Sequence, residues 1–185
     1  CGRYVLAEKS ADIQKRFHAS TMIEVDKRYN VAPSQMMPTV IHADNLDQNQ
    51  IQIMRWGLVP HWAKDEKIGY KMINARAETL MEKPSFKVPF QRRRCLVPAS
   101  GFYEWKKIDD NKTPYYIHLK DEELFAFAGF YETWNDPKTD NTLYTYTIIT
   151  TEPNKLMSQI HDRMPVILPK EDEDVWLDPN ISVNE

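Results

Sequence analysis

The sequence predicts an α+β domain with an antiparallel, curved and barrel-like sheet at its core and short helices around it. Three observations lead there. Short runs rich in β-branched and aromatic residues recur at close spacing, separated by polar turns. Helical patterns are present but brief. No repeat, low-complexity tract or long linker divides the 185 residues, so a single domain is expected over 1–185, long enough to bury a real core.

The elements follow in order. Residues 11–17 suit a short helix behind a Ser10 cap. Residues 39–42 read as a strand, 44–50 as a polar turn and 51–59 as a second strand. A short helix is expected over 77–83, stopped by Pro84. Strands follow over 95–98, 102–108, 115–119 and 124–131. Asp109-Asp110-Asn111-Lys112 and Asp121-Glu122-Glu123 between them read as hairpin turns, which makes the group a β-meander. Residues 134–141 are a loop rich in Asn, Asp and Pro, and 143–150 a strongly β-branched and aromatic strand. Pro153 sits at the first turn of a helix expected over 153–160, and a last helix is expected over 171–177.

Composition narrows the function. Hydrophobic content of 42% and charged content of 28% are those of an ordinary soluble globule. A net charge of −3 opposes a polybasic nucleic-acid binder, so any contact with DNA or RNA must come from a local patch. No apolar run is long enough to span a bilayer and no signal-peptide core is present, which predicts a cytoplasmic address. The two cysteines form neither a disulfide framework nor a CxxC metal spacing. Cys95, in the apolar run Cys95-Leu96-Val97-Pro98, reads as a small core residue.

Cys1 is the most informative position. It carries a thiol and a free α-amino group on one carbon skeleton, and a cysteine in first place implies removal of an initiator Met or pro-segment. Such an aminothiol attacks an aldehyde through nitrogen and then closes through sulfur to a thiazolidine. Free amines and thiols of this kind ordinarily titrate near ~8 and ~8.5, so reactive fractions exist at cellular pH. The ordinary alternative is a trimmed, idle terminus.

Other polar residues stand out against the strands. Asn74 and Arg76, in Asn74-Ala75-Arg76-Ala77-Glu78, suit either a helix cap or the holding of a substrate oxygen. In Gly101-Phe102-Tyr103-Glu104-Trp105, period-2 alternation puts Phe102, Glu104 and Lys106 on one face and Tyr103 and Trp105 on the other. A carboxylate in apolar company suits proton transfer, whereas a strand Glu is ordinarily an edge group facing water. His161, in Ile160-His161-Asp162-Arg163-Met164-Pro165, suits a proton shuttle or a salt-bridged helix terminus. Trp62 and Trp105 are candidates for base stacking, with Trp105 expected in the core. Arg92, Arg93 and Arg94 read as a solvated basic edge.

Taken in order, CGRY, YNVAPSQ from Tyr29, WGLVPHWAKD from Trp56, NARAET from Asn74, RRCLVPASGFYEW from Arg93 and IHDRMPVIL from Ile160 resemble the SOS-response-associated peptidase family of abasic-site processing proteins. The resemblance implies a curved β-rich fold with a positively charged DNA channel. It implies covalent capture of abasic sites in single-stranded DNA by the N-terminal cysteine, and self-removal of the initiator Met. It implies catalytic positions at Cys1, Asn74, Glu104 and His161, phosphate contacts at Arg3 and Arg76, and residues near the DNA bend at Pro33 and Trp62. No cofactor, metal or membrane partner is expected, and the protein is expected to act as a monomer, at the nucleoid if bacterial. Against the family pattern, the chain is expected to lack a C-terminal segment, and His61 stands where other members can carry an aromatic residue.

The chemistry is consistent with this. Glu104 or His161 would protonate the hydroxyl that leaves the carbinolamine, and intramolecular ring closure gains from proximity. Two alternatives are an N-terminal-nucleophile glutamine amidotransferase, which release of ammonia from glutamine would reveal, and a non-catalytic single-stranded DNA-binding module, which a salt-reversible complex would reveal.

Overall fold

The computed structural model describes residues 1–43 and 48–184. In chain order the elements are β1 (Arg3–Leu6), α1 (Ser10–Arg16), β2 (Arg28–Val31), β3 (Met36–His42), β4 (Asn49–Trp56), β5 (Asn74–Arg76), α2 (Pro84–Arg92) and β6 (Arg94–Ala99). They continue with β7 (Gly101–Ile108), β8 (Asn111–Ile117), β9 (Phe125–Asn135), β10 (Thr142–Thr151), β11 (Met164–Pro165), β12 (Ile167–Leu168) and α3 (Glu173–Leu177).

Five strands close on themselves in the order β10–β4–β3–β6–β9 and back to β10. All these pairings are antiparallel except β4 with β10, which run parallel with Tyr146 beside Trp56. Closure removes the exposed edges of an open sheet. β5 and β11 add to β10, and β12 adds to β9. A second, antiparallel sheet in the order β2–β1–β7–β8 packs against this barrel.

Alternation along each strand builds the core between the sheets. Tyr4 from β1 and Phe102 from β7 point inward to meet Trp56, Phe127 and Tyr146, all fully buried. Tyr4 sits edge-on to Trp56 at 5.1 Å and to Phe127 at 5.7 Å. The two buried phenols satisfy each other, with Tyr4 and Tyr146 hydroxyls 2.6 Å apart. Burial pushes both hydroxyls far up, so they stay neutral. β4 stops at Gly57, whose φ of +118° suits only glycine and whose Cα faces the Gly69 carbonyl too closely for any side chain.

Several expectations change. The helix expected over 77–83 is a short turn at Leu80–Glu82, and the real helix starts at Pro84. Proline at the first helical position loses an N–H that has no intrahelical partner there. The helix expected over 153–160 shrinks to a single turn at Met157–Gln159. Ser10 does not cap α1; it lies within it and exchanges hydrogen bonds with the Val25 backbone. The β-meander fails because β7 and β8 form a hairpin in one sheet, while β6 and β9 pair in the other. Asp121-Glu122-Glu123 therefore crosses between sheets. Residues 44–47 of the expected polar turn lie outside the described residues, and β4 begins at Asn49.

The basic edge is also revised. Arg94 is buried, and its guanidinium donates to the carbonyls of Phe90, Gln91, Trp176, Asp178 and Ile181. Arg93 pairs with Glu132 at 3.0 Å, so Arg92 is the exposed member of the run. Trp105 is not in the core: it is 38% exposed, because the β7 face it shares with Tyr103 is the outer one. Cys95 is fully buried, and burial pushes its thiol far up, which makes it inert. No helix among the described residues is long and apolar enough to cross a membrane.

Candidate active site

The site forms where the N-terminus runs beside β7. β1 pairs antiparallel with β7 through Arg3 and Tyr103, Tyr4 and Phe102, and Val5 and Gly101. Extending that register carries the chain before Arg3 alongside Glu104. Tyr4 and Phe102 anchor the pair in the core, so the placement of Cys1 is inherited from packing rather than from the terminus itself.

Cys1 is buried, and its amino nitrogen lies 3.2 Å from Glu104 Oε1. This ion pair is off the line of a hydrogen bond, and Oε1 has no aligned donor, which leaves lone-pair capacity facing the amine. Asn74, on β5, donates from Nδ2 to the Cys1 carbonyl at 3.1 Å. Its Oδ1 is buried without a hydrogen-bond partner. β5 itself is held by its parallel pairing to β10, with Asn74 beside Ile148. The strand position replaces the helix-cap reading of Asn74.

His161 closes the cluster from the segment before β11, with Nε2 3.8 Å from Glu104 Oε2. Its Nδ1 can accept from the Arg163 N–H at 3.2 Å, which in the neutral ring leaves the Nε2 proton facing Glu104. The Asp162 carboxylate lies 3.2 Å from Nδ1, but it is highly exposed and its field is screened. Glu104 thus touches an ammonium on one oxygen and approaches an imidazole with the other.

A second tie fixes these segments to each other. The Arg163 guanidinium donates to both oxygens of Glu78, at 3.3 and 2.9 Å, and to the Thr150 carbonyl at 3.0 Å. The Arg163 hydrogen bond, more than any other influence, holds the Glu78 carboxyl below its ordinary range. Glu78 follows β5 and Arg163 follows His161, so the pair joins the Asn74 strand to the His161 segment. Reading the sequence singled out neither Glu78 nor this role for Arg163; the signal available was the spacing of Glu78 from Asn74 and of Arg163 from His161.

Around the cluster, Arg3 folds back to donate to the Gly2 carbonyl at 2.9 Å, beside Cys1. Arg76 is well exposed, 3.8 Å from Glu78. Pro33 lies in the turn after β2, and Trp62 is 54% exposed with its ring against His61 at 4.9 Å. Hydrogen bonds and ion pairs bring Cys1, Asn74, Glu104 and His161 together; Pro33 and Trp62 stand on separate surface turns. An open cavity of about 430 Å³ is lined by Glu104, Trp105, Lys107, Lys112 and His161. Lys107 and Lys112 face each other across the β7–β8 hairpin. These lysines escaped the sequence reading; alternation along β7 puts Lys107 on the Trp105 face, and the hairpin register puts Lys112 opposite it.

A buried amine beside a carboxylate, with a thiol on the same residue and an imidazole within reach, is equipped for carbonyl addition with proton transfer. The family model for the SOS response associated peptidase (SRAP) matches residues 1–185. Abasic site processing protein YoqW of Bacillus subtilis is 55% identical over 183 residues, spanning 97% of this chain and 80% of its own length. Abasic site processing protein HMCES of Xenopus tropicalis is 35% identical over 179 residues, spanning 81% of this chain and 53% of its own. A crystal structure of a Bacteroides thetaiotaomicron protein superposes with a TM-score of 0.90 at 34% identity, covering 100% of this chain and 84% of that one. The chain therefore belongs to the SOS response associated peptidase family.

Proposed function

We propose that this protein processes abasic sites by capturing them covalently in single-stranded DNA through Cys1. The observation that carries the reading is the Cys1 amine held 3.2 Å from a buried carboxylate, with the thiol on the same residue. The names of the relatives support its coarser part, abasic-site processing.

The steps follow from the groups present. An abasic site exchanges between a closed sugar and an open aldehyde. As the sugar opens, the bond from the anomeric carbon to the ring oxygen breaks, His161 delivers a proton to that oxygen, and the anomeric hydroxyl gives its proton to water as the carbonyl forms. Glu104 takes a proton from the Cys1 ammonium, and the neutral amine adds to the aldehyde carbon. Its lone pair forms the C–N bond while the carbonyl electrons move to oxygen, and the proton that nitrogen then has in excess passes to that oxygen to give a neutral carbinolamine. Glu104 returns its proton to the departing hydroxyl, water leaves, and a C=N bond forms. The Cys1 thiol loses its proton to the site base and sulfur adds to that carbon, returning the π electrons to nitrogen. The product is a thiazolidine, and one water is lost overall. Ring closure is intramolecular and gains from proximity.

Asn74 keeps the terminus in register through the Cys1 carbonyl and offers its free Oδ1 to the sugar. Arg3 and Arg76 neutralise neighbouring phosphates, with Lys107 and Lys112 adding charge at the cavity. Pro33 and Trp62 lie where the strand bends. In a chain that still carries its initiator Met, Glu104 sits beside the Met–Cys bond and serves its single hydrolysis in cis. The protein acts as a monomer on DNA in the cytoplasm.

Cys1→Ala keeps the amine and removes the thiol, so it should lose the heat-stable adduct while retaining weak DNA binding. Cys1→Ser should form an imine that borohydride traps but denaturant alone does not preserve. Denaturing gels after mixing with abasic single-stranded DNA read both. An undiminished stable adduct from Cys1→Ala assigns the chemistry elsewhere.

A further inference from the structure

We propose that the outer face of the β2–β1–β7–β8 sheet carries a second binding site, which takes the cationic head of an arginine side chain from a partner protein. Along β7 the side chains alternate, so Glu104 turns inward to the site while Tyr103 turns outward. Tyr103 lies opposite Tyr116 of β8 in register, and the rings stand 5.4 Å apart. Tyr116 in turn stacks on His118 at 5.4 Å with an interplanar angle of 29°. With Tyr29 from β2 and the carboxylates of Glu8 and Glu122, these rings line an open cavity of about 350 Å³.

The cavity is built rather than incidental. Tyr103 is fixed by donating its hydroxyl to the Tyr29 carbonyl at 3.0 Å. The Tyr116 ring lies flat over Gly101, where a Cβ would come within 2.5 Å of the ring carbon Cε1. Glycine at that position is what lets the ring reach the strand. Glu8 is tethered by the Ser100 hydroxyl at 3.3 Å, and the same hydroxyl oxygen accepts from the Ala7 N–H at 3.0 Å.

The lining sets the ligand's charge. It contains two carboxylates and neither lysine nor arginine. Partial burial, then Tyr103, Glu122 and Glu8, push the Tyr116 hydroxyl up, so the phenol stays neutral at physiological pH. Such a surface repels a phosphate backbone. Electron-rich ring faces beside paired acids instead suit a cation, and a planar guanidinium both stacks on tyrosine and meets carboxylates through its donor fork. The volume fits one long side chain, at the small end of ligand sites. The cavity beside Glu104 lies farther along the same hairpin, at Trp105, Lys107 and Lys112, and shares no lining residue with this one, so such a partner can sit here while DNA occupies the site.

The test is amide NMR titration of the full chain with N-acetyl-arginine methylamide. Saturable shifts should appear at Ser100, Tyr103, Tyr116 and Glu122, in the millimolar range expected of a single side chain. The citrulline analogue, equal in shape but uncharged, should leave them unmoved. Glu8→Gln/Glu122→Gln should weaken arginine binding at least fivefold and leave the rate of abasic-DNA capture unchanged. Equal binding of the citrulline analogue, or no saturable shifts at these residues, would overturn the site. Tighter binding of spermidine than of capped arginine would overturn a protein side chain as the occupant. A changed capture rate in the double variant would overturn its separation from the DNA cavity. These readouts are independent of whether Cys1 captures DNA.

Discussion

Glu104 and His161 both can move protons, and their surroundings separate their tasks. Glu104 is 4% exposed and faces the Cys1 amine, which under the proposed mechanism suits it to the proton that amine must lose and the proton the leaving hydroxyl must gain. His161 is more exposed and approaches Glu104 only at 3.8 Å, at the open cavity that the proposed mechanism gives to the sugar. Glu104→Gln keeps size and hydrogen bonding but cannot donate an acidic proton. It should slow adduct formation on the order of 100-fold, the usual share of a general acid–base, and raise the fraction of protein retaining Met. His161→Ala should slow capture of the cyclic abasic sugar more than capture of a simple open-chain aldehyde. Rates by gel and Met retention by mass spectrometry test both. Equal slowing on the two aldehydes removes the ring-opening role from His161; wild-type behaviour of Glu104→Gln reduces it to a strand residue.

At the scale of elements, β1, β5, β7 and the segment before β11 each bring one member of the cluster. Arg3 and Arg76 lie on β1 and β5, two residues beyond Cys1 and Asn74, so the strands that place the chemistry also place the charge. Each alanine variant should weaken binding to single-stranded DNA and lower the slope of log affinity against log salt by about 0.7, the share of one phosphate on a single strand. Fluorescence anisotropy across a salt series reads this, and unchanged slopes in both would move the channel toward Lys107 and Lys112. The strands were legible because β-branched and aromatic alternation reports burial directly: Glu104 falls on the Phe102 face as alternation requires. The same alternation put Trp105 on the Tyr103 face, yet hydrophobicity argued for the core, and exposure shows alternation to be the better guide. Pro84 misled because proline both ends helices and opens them, and only packing decides. The Glu78–Arg163 tie left only the spacing of each partner from Asn74 and His161 as a signal, since the two are 85 residues apart and ordinary in type.

At the scale of the molecule, the closed barrel carries the second sheet, and Arg94, on β6, ties α2 and the stretch around α3 to the barrel. It is 8% exposed and donates to five carbonyls, from α2 and from the stretch around α3. Arg94→Ala leaves those buried acceptors short of donors and should cost about 3 kcal/mol, by analogy with charged hydrogen bonds removed from interiors. For a chain of this size that lowers the melting temperature on the order of 10 °C, measurable by calorimetry. A shift under 2 °C, the smallest change that ~1 kcal/mol would give, would mean that water replaces the guanidinium. With a net charge of −3, DNA in the proposed mode would be held by a local patch against the average field, and capture is expected to weaken with salt.

The claim on which all of this turns is that Cys1 condenses with the aldehyde of an abasic site. Intact mass, measured under denaturing conditions after mixing with an abasic single-stranded oligonucleotide, tests it most directly. The account predicts a stable species at the summed masses of protein and oligonucleotide less one water, with the linkage mapped to Cys1. No covalent species, a species at the full sum, or one linked at any other residue would contradict it.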